Sequence, residues 1–437
     1  MLPLRLLRSR RLQRVRRLLV STGLAACALA GSDLAAQQVQ VDSPLDAITE
    51  GRLSLELRPR YTDITQTNKT ERTSAWTMRS IIGWQTAVFD QWRVVVEGIH
   101  TDVVGASSLN TDPATDENSP YPLLPDPSRT DSNRLYVEYL GLPDTRVRLG
   151  KQLVKLDNER FFSDVDFRQI PMLFTGLTVV NESLPDGEIY AALLNRVRTV
   201  VGTQAKTRIW LLRAAYSPLR DQSVAAYAYG LNQPQTDLYS DSQWYLSDYD
   251  GVSDNSHQVF GLRAEGVVPI GAAVNGLYTA EGAHQRHYAG GDPVIEAHYW
   301  RLGGGAVLPK LADVGARLDR EVKSSNGGRY GFQMPFEDTY AFNGWALQFT
   351  RTPAKGLRDT WASLRARPGR LQLVAELHRF DAAFGGLNYG NERDFRASYA
   401  LTPSLSLKLQ HARFRAGDPA ADYYDVTKTW LSLTYDY

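Results

Sequence analysis

Apolar and polar residues alternate along most of the chain with a period of two. Arg52–Arg60 is the first clear case, because Leu53, Leu55 and Leu57 would lie on one face of an extended strand. The opposite face would carry Arg52, Ser54, Glu56, Arg58 and Arg60. A strand of this kind either covers a soluble core or places its apolar face against lipid.

The same alternation is clearest near the C-terminus. Leucine and alanine alternate there with polar residues in 371–378, 405–410 and 431–437. Repeated strands of about ten residues, joined by alternating short and long connections, are the sequence signature of an outer-membrane barrel. The last strand ends on Tyr437, which looks like the C-terminal signal that such barrels present to the barrel-assembly machinery. We therefore expect that machinery to be a partner.

The pattern predicts an all-β fold, a transmembrane antiparallel up-and-down β-barrel of about 18 strands (16–18). The individual strands total 19: 51–62, 72–89, one from Trp92, 132–141, 145–152, 173–181, 188–201, 206–217, 222–231, 257–267, 271–282, 293–305, 311–320, 341–352, 357–367, 370–380, 391–401, 404–415 and 427–437. A single-chain bacterial barrel has an even number. One of the 19 predicted strands is therefore wrong, and we expect the error near 181–206 or 303–320.

Strand counting also assigns the connections to the two sides of the membrane. The long polar loops 105–131, 231–256, 381–390 and 416–426 are predicted outside. Counting from the two ends gives opposite answers for 320–340, so its side stays undetermined. Aspartates crowd 231–256; we interpret them as solubilising, although Ca²⁺ binding is an alternative.

The N-terminus has the features of an export signal. A basic stretch precedes the apolar run Leu18–Leu29, and small residues follow, with cleavage after Ala30 or Ala36. The segment ending at Cys27 is an alternative lipoprotein signal. We predict a signal peptide at 1–36, a periplasmic lead-in at 37–50 and a cell outer-membrane barrel at 51–437. A tandem of β-sandwiches is the alternative, but no linker separates the strands.

Charge and motifs exclude several function classes. Residues 1–36 hold seven arginines and one acid, so the remainder has 42 basic and 47 acidic residues, a net charge of −5. This argues against nucleic-acid binding. The only cysteine lies in the signal, which excludes disulfides and thiolate sites from the mature chain. No phosphate-binding, dinucleotide or nucleophile-elbow motif is present, so we predict no enzyme and no cofactor.

Two histidines, His284 and His287, stand beside Asp292. We interpret them as a solvated pair and predict no metal site.

Arginine is frequent within the predicted strands. Examples are Arg79, Arg93, Arg148, Arg263 and Arg301. A charge facing lipid near the bilayer midplane costs about 2–4 kcal/mol, so most of these side chains should face the lumen or lie at a rim. Rings of arginine select anions in pores. Cross-strand Arg–Glu pairs that simply fill a wide lumen are the alternative.

Residues 149–176 are the most distinctive stretch. They contain Gly150-Lys151-Gln152, Arg160-Phe161, Arg168-Gln169 and the pair Phe174/Gly176, in that order. This order resembles the alginate-export family of outer-membrane barrels, in which a G-[RK]-Q strand end precedes R-F, W-R-Q and F-[DA]-G elements. Phe167 replaces the usual Trp, and Thr175 the usual acid. The resemblance extends to the Arg52 strand, to 342–345 and to 393–414, and it implies a barrel of roughly 18 strands with an arginine-lined, partly occluded lumen.

The non-alternating segment 153–172 would leave the wall and fold into the lumen as an infolded or gating loop; a surface loop with ordinary charge pairs is the alternative. Basic residues there and nearby would meet an anionic solute: Lys151, Lys155, Arg160 and Arg168. Acidic residues would hold them in place: Asp157, Glu159, Asp164 and Asp166. Pro59 lacks a ladder donor, which would put Arg58 and Arg60 at a pore mouth.

These features predict a channel for passive passage of an anionic or polar solute, such as a polyuronate like alginate or its oligomers. The other expected partners are outer-membrane lipid and lipopolysaccharide, with no nucleic acid. A plugged structural or binding barrel is one alternative. A barrel hydrolase with wall-borne Ser and His is a second, although no spacing supports it.

Overall fold

The computed structural model describes residues 39–233, 252 and 254–437, and within them 18 antiparallel strands form one closed barrel wall. The predicted all-β barrel is confirmed. The wall strands are β1 Arg52–Gln66, β2 Thr73–Gln85, β3 Trp92–Ser108, β4 Arg129–Leu142, β5 Thr145–Gln152, β6 Leu173–Asn181, β7 Gly187–Arg198, β8 Gln204–Tyr216, β9 Gln222–Asn232, β10 His257–Ile270, β11 Val274–His287, β12 Glu296–Leu308, β13 Val314–Lys323, β14 Leu357–Ala366, β15 Leu371–Asp381, β16 Asn388–Thr402, β17 Leu405–Ala416 and β18 Val426–Asp436.

The first and last strands close the barrel. β1 and β18 pair from Glu56 opposite Asp436 to Gln66 opposite Val426. Tyr437 extends this seam, because its backbone N–H donates to the Leu55 carbonyl at 2.9 Å and its carbonyl accepts from the Leu55 N–H at 3.2 Å. Closure leaves no free sheet edge, which is the condition for a sheet to lie in lipid.

Each wall strand presents one face outward and one inward. In β15, Leu377 is 58% exposed on the outer face, whereas its neighbours Glu376 and His378 are buried inside. Exposed apolar residues such as Leu262 and Leu302 continue the outer face around the wall. The outer face is therefore apolar, and the ionisable groups are concentrated inside.

A short lead-in precedes the wall. Helix α1, Pro44–Thr49, begins after Ser43, whose hydroxyl accepts from the Asp46 N–H at 3.1 Å. Gln40–Val41 pairs in parallel with Val88–Phe89 beside the β2–β3 turn. Among the described residues, no helix is both long and apolar enough to cross a membrane.

Long and short connections lie at opposite ends of the barrel. The chain enters β1 and leaves β18 at the end that carries the short turns, such as 143–144 and 403–404. The predicted outer loops all leave the wall at the other end. The segment after β13 also leaves there, so 320–340, whose side was undetermined, joins the long-loop end. Of the aspartates in 231–256, only Asp254 lies within the described residues.

The predicted strand 341–352 is wrong. Residues 339–342 form the short helix α2, Thr339–Phe342, and turns follow it. The segment is apolar because it packs inside the barrel, where Trp345 is 1% exposed. Removing this strand gives the even number of 18. The neighbourhoods in which the error was expected, 181–206 and 303–320, hold genuine strands.

Pro59 does not lie at a rim, so that prediction is wrong. It occupies the middle of β1, between Arg58 and Arg60, which are each 3% exposed. Pairing with β18 skips residues 58 and 59, whereas pairing with β2 continues through Pro59 opposite Met78. Proline has no backbone N–H to donate, and Pro59 is tolerated here because the pairing of β1 with β18 is interrupted at this residue.

Two of the described connections at the long-loop end fold back into the lumen and contact each other. We call residues 153–172 segment A and residues 324–356 segment B. Phe161 and Phe162 of segment A contact Phe332 and Phe336 of segment B, respectively. Inward-facing wall residues such as Tyr229 complete this aromatic core. The infolding of 153–172 matches the expectation, and that of segment B was not anticipated.

Candidate functional site

Segment A is a compact loop with its own backbone bonds. The Leu156 N–H donates to the Phe162 carbonyl at 3.1 Å, and the Met172 N–H donates to the Asp164 carbonyl at 2.6 Å. Asp157 and two other non-glycine residues adopt positive φ within it. This tight backbone explains why neither strand nor helix periodicity appears in the sequence here.

The first tether joins segment A to β1 and β2. Asp166 Oδ1 lies 2.8 Å from Arg79 Nη1, and Asp166 Oδ2 lies 3.5 Å from Arg58 Nη1. Arg58 also donates to the backbone carbonyls of Asp166 and Arg168, at 2.9 and 2.5 Å. Burial opposes ionisation of Asp166, but Arg79 and Arg58 hold its pKa below the usual value. The carboxylate is therefore charged and fixed.

The second tether lies between β8 and β10. Asp157 accepts from Arg213 Nε at 2.7 Å and pairs with Arg263 Nη2 at 2.8 Å. Each arginine has a further carboxylate neighbour, Glu188 for Arg213 and Glu265 for Arg263. Asp157 therefore binds wall arginines rather than the lysines and arginines of its own segment.

The third tether joins both segments to β13. Arg160, fully buried, pairs with Glu321 of the wall and, at 2.5 Å, with Glu337 of segment B. Lys323 pairs with the same Glu337 at 2.9 Å, and Asn343 bonds to both cations. Because Arg160 has no exposed surface, it anchors the segment instead of facing a solute.

These three tethers attach segment A to β1–β2, β8–β10 and β13, which lie on different sides of the ring. The segment therefore spans the lumen. Removing one partner of a buried ion pair typically costs about 3–5 kcal/mol, since the other charge is left unpaired.

A fourth group lies within segment A. Lys155 is 29% exposed and pairs with Glu159 at 3.3 Å and with Asp164 at 3.1 Å. Burial raises the pKa of Asp164 to about 6, although Lys155 opposes the shift. Asp338, at the start of α2, donates its N–H to the Glu159 carbonyl at 3.1 Å. Burial and the charges of Glu159 and Asp164 raise the pKa of Asp338 to about 7.

Three cations surround a water-sized cavity of about 10 Å³ near the seam. Arg60, Arg168 and Lys428 line it, and Asp126 is the only acid among its lining residues. The Arg60 guanidinium lies 5.1 Å from the centre of the Phe167 ring.

Phe167 occupies the position at which the resembling family usually has Trp. It stacks on Tyr340 of segment B with the ring centres 3.9 Å apart and the planes at 6°. This stacking adds a further contact between the two segments.

A second excess of positive charge lies nearer the short-turn end. Arg93, Arg146 and Arg148 converge on one buried carboxylate, Glu138, with Arg148 Nε at 2.6 Å and Arg146 Nε at 3.8 Å. The side chains of Arg146 and Arg148 are 18% and 21% exposed. The lumen thus has local cationic excess at two levels.

The predicted site residues separate into groups. Arg58, Asp166 and Arg168 come together, as do Lys155, Glu159 and Asp164. Lys151 lies apart, because it is opposite the outward-facing Leu135 in the wall, and its Nζ bonds to Ser132 Oγ at 2.7 Å.

Several residues that lie around these site residues were not predicted from the sequence: Arg213, Glu321, Lys323, Glu337 and Lys428. Those in wall strands could have been predicted to face the lumen, because successive residues of a strand point to opposite faces and their sequence neighbours face outward.

The chain was compared with known proteins. A family model described as alginate export matches residues 54–325. None of the curated proteins matches the chain in sequence.

Solved structures share the barrel. Acinetobacter baumannii OccAB2 aligns with a TM-score of 0.68 at 13% identity, covering 90% of this chain and 99% of that one. Pseudomonas aeruginosa OpdL gives 0.65 at 12%, covering 89% and 99%. Pseudomonas aeruginosa OpdK, solved with vanillate, gives 0.63 at 12%, with the same coverage. At these identities the likeness supports the fold alone.

Proposed function

Because the chain belongs to the alginate export family, we propose that it is an outer-membrane channel that passes anionic or polar solutes passively. The family and the structural neighbours are channel barrels rather than enzymes. The observation that carries the solute class is the local excess of basic side chains inside the barrel: Arg146 and Arg148, partly exposed, beside Glu138, and Arg60, Arg168 and Lys428 around a cavity with the single lining acid Asp126.

Cationic excess at two levels would guide an anion along the lumen. The group around Glu138, nearer the short-turn end, contains Arg146 and Arg148, whose side chains are partly exposed. A guanidinium presents a planar fork that fits a carboxylate. A polyuronate, such as alginate or its oligomers, carries one carboxylate per sugar and would meet these forks in succession.

Segments A and B would set the bore. They fill the lumen with a buried aromatic core, and the tethers hold segment A across it. In this proposal the outer face of the wall contacts lipid and lipopolysaccharide. The barrel-assembly machinery recognises the last strand, β18, with Tyr437.

Ion selectivity in planar bilayers tests the solute class. Replacing Arg60, Arg168 and Lys428 with alanine removes three basic side chains from the cavity lining. Each lost charge weakens the attraction for an anion about 4 Å away by on the order of 1 kcal/mol at the dielectric constant of water. We expect the reversal potential in a salt gradient to shift strongly toward cation preference.

The matched control removes three arginines from the outer surface, Arg208, Arg393 and Arg413, all exposed. It should leave the reversal potential unchanged. Anion preference that survives the lumen triple substitution would exclude this cavity from the selectivity. Block of the current by oligouronates, but not by neutral oligosaccharides of equal length, would support the polyuronate.

The buried aromatic core favours a second candidate, a plugged barrel that binds or supports without conducting. Phe162, Phe332 and Phe336 are each 1% exposed or less. A folded protein that carries no ion current would favour this candidate over the channel.

A further inference from the structure

A cluster of buried ionisable residues lies on the inner face of β14–β16. It contains Asp359, Glu376, His378, Glu392 and Asp394, all at most 6% exposed. Neighbouring strands place them together, since His378 lies opposite Glu392 and Glu376 lies opposite Asp394. Four carboxylates and one imidazole thus share a site shielded from water.

The imidazole of His378 is held in one orientation. Its Nδ1 lies 3.0 and 3.1 Å from the two carboxylate oxygens of Asp359. Trp361 and Phe380 stack on its ring, with interplanar angles of 10° and 13°. A carboxylate bonded to one ring nitrogen fixes the tautomer and directs the other nitrogen, as in many metal sites.

The other nitrogen, Nε2, points between two carboxylates. Glu376 Oε2 lies at 3.8 Å and Asp394 Oδ2 at 3.9 Å, both too long for hydrogen bonds. Nε2 and both Asp394 oxygens have no hydrogen-bond partner among the residues that the structure describes. Buried polar atoms without partners are uncommon in folded proteins.

These separations suit a shared cation. A metal at roughly 2.0–2.2 Å from nitrogen and oxygen ligands separates them by about 3.4 Å at a tetrahedral angle, and further at wider angles. One imidazole with two carboxylates favours a borderline ion such as Zn²⁺, because Ca²⁺ and Mg²⁺ prefer oxygen alone. We propose that Glu376, His378 and Asp394 bind a divalent transition-metal ion, with Asp359 as a positioning residue.

The site lies directly beneath segment B. Glu392 Oε1 accepts from the Ala346 N–H at 2.6 Å, and a side chain at Gly344 would contact the same carboxylate. A cation beside Asp394 would neutralise the charge around Glu392 and stabilise this contact. Metal binding would therefore fix segment B against the wall, whether or not the barrel conducts ions.

A proton is the competing way to neutralise the cluster, since Glu392 and Asp394 could share one. Metal content distinguishes the two. A second group, His284, Glu296 and His298, could also hold an ion on the outer surface. The parent for the experiment is therefore the full-length His298→Ala protein, in which that outer group is broken.

The parent is stripped with a chelator, incubated with Zn²⁺, separated from free metal and analysed by mass spectrometry. We expect one zinc per chain, and none after Asp394→Asn or His378→Gln. Asp359→Asn should keep the site but weaken zinc affinity by about 10–100-fold, as loss of an outer partner typically does. Co²⁺ bound to the parent should show the intense visible absorption of a four-coordinate ion.

Heat-dependent gel mobility verifies that each variant is folded. A folded parent that binds no zinc would overturn the proposal in favour of the proton. Zinc content unchanged by Asp394→Asn and His378→Gln would overturn it as well.

Discussion

At the scale of single residues, the lumen depends on buried charge pairs. Asp157, Arg160 and Asp166 each join segment A to a different part of the wall. The sequence identified these three residues as members of the infolding segment. It did not identify most of their partners, because those partners come from strands far away in the chain.

Asp338 makes the contact between the segments sensitive to pH. Its pKa, raised to about 7, means that the folded protein binds a proton that the unfolded chain releases near pH 4. The contribution of this carboxyl to stability is therefore present at low pH and lost as pH rises through about 7. Above that pH, its charge repels Glu159 and Asp164.

Replacing Asp338 with asparagine should remove the part of that dependence that lies near pH 7, whereas the titration of Asp164 near pH 6 remains. We expect the wild-type contact between segments A and B to loosen between pH 5 and 8, seen as faster backbone hydrogen exchange in 156–166 after correction for intrinsic rates. Asp338→Asn should exchange more slowly than the wild type at pH 8. Asp422→Asn, in an exposed loop, is the control. Equal pH dependence in wild type and Asp338→Asn would contradict this assignment.

At the scale of elements, strand alternation predicted the wall well. The strands near the C-terminus follow their predicted faces, because one face borders an apolar surface and the other a charged lumen. Segment B was mispredicted as a strand at 341–352, since Phe342 and Trp345 are apolar for another reason. They are buried inside the barrel, and no local pattern distinguishes that setting from a wall.

Gly344 should be a sensitive position in segment B. Its φ is +80°, and a Cβ there would lie 2.5 Å from Glu392 Oε2. Gly327 also has a positive φ, +59°, but a Cβ there meets nothing within 4 Å. Both alanine substitutions carry about 1–2 kcal/mol of backbone strain, and only Gly344→Ala adds a clash.

We therefore expect Gly344→Ala to lower the thermal unfolding temperature more than Gly327→Ala, measured by the loss of heat-dependent gel mobility. Equal effects would mean that Glu392 moves away freely and does not support segment B.

At the scale of the whole molecule, a closed wall of 18 strands surrounds a lumen crossed by two segments. The export signal and the alternation of apolar and polar residues predicted the barrel from sequence. The occlusion by segment B could not be predicted, because it depends on contacts between 324–356 and residues all around the ring. In the proposed function, this occluded barrel conducts ions, and segment A limits its bore.

Single-channel conductance in planar bilayers tests that claim most directly. Gln152 pairs with Phe174 across β5 and β6, so a short Gly-Ser turn can replace 153–172 without separating the strands. We predict a small but finite conductance for the wild type and a severalfold larger one for the folded replacement. No ion current from either protein would contradict the account.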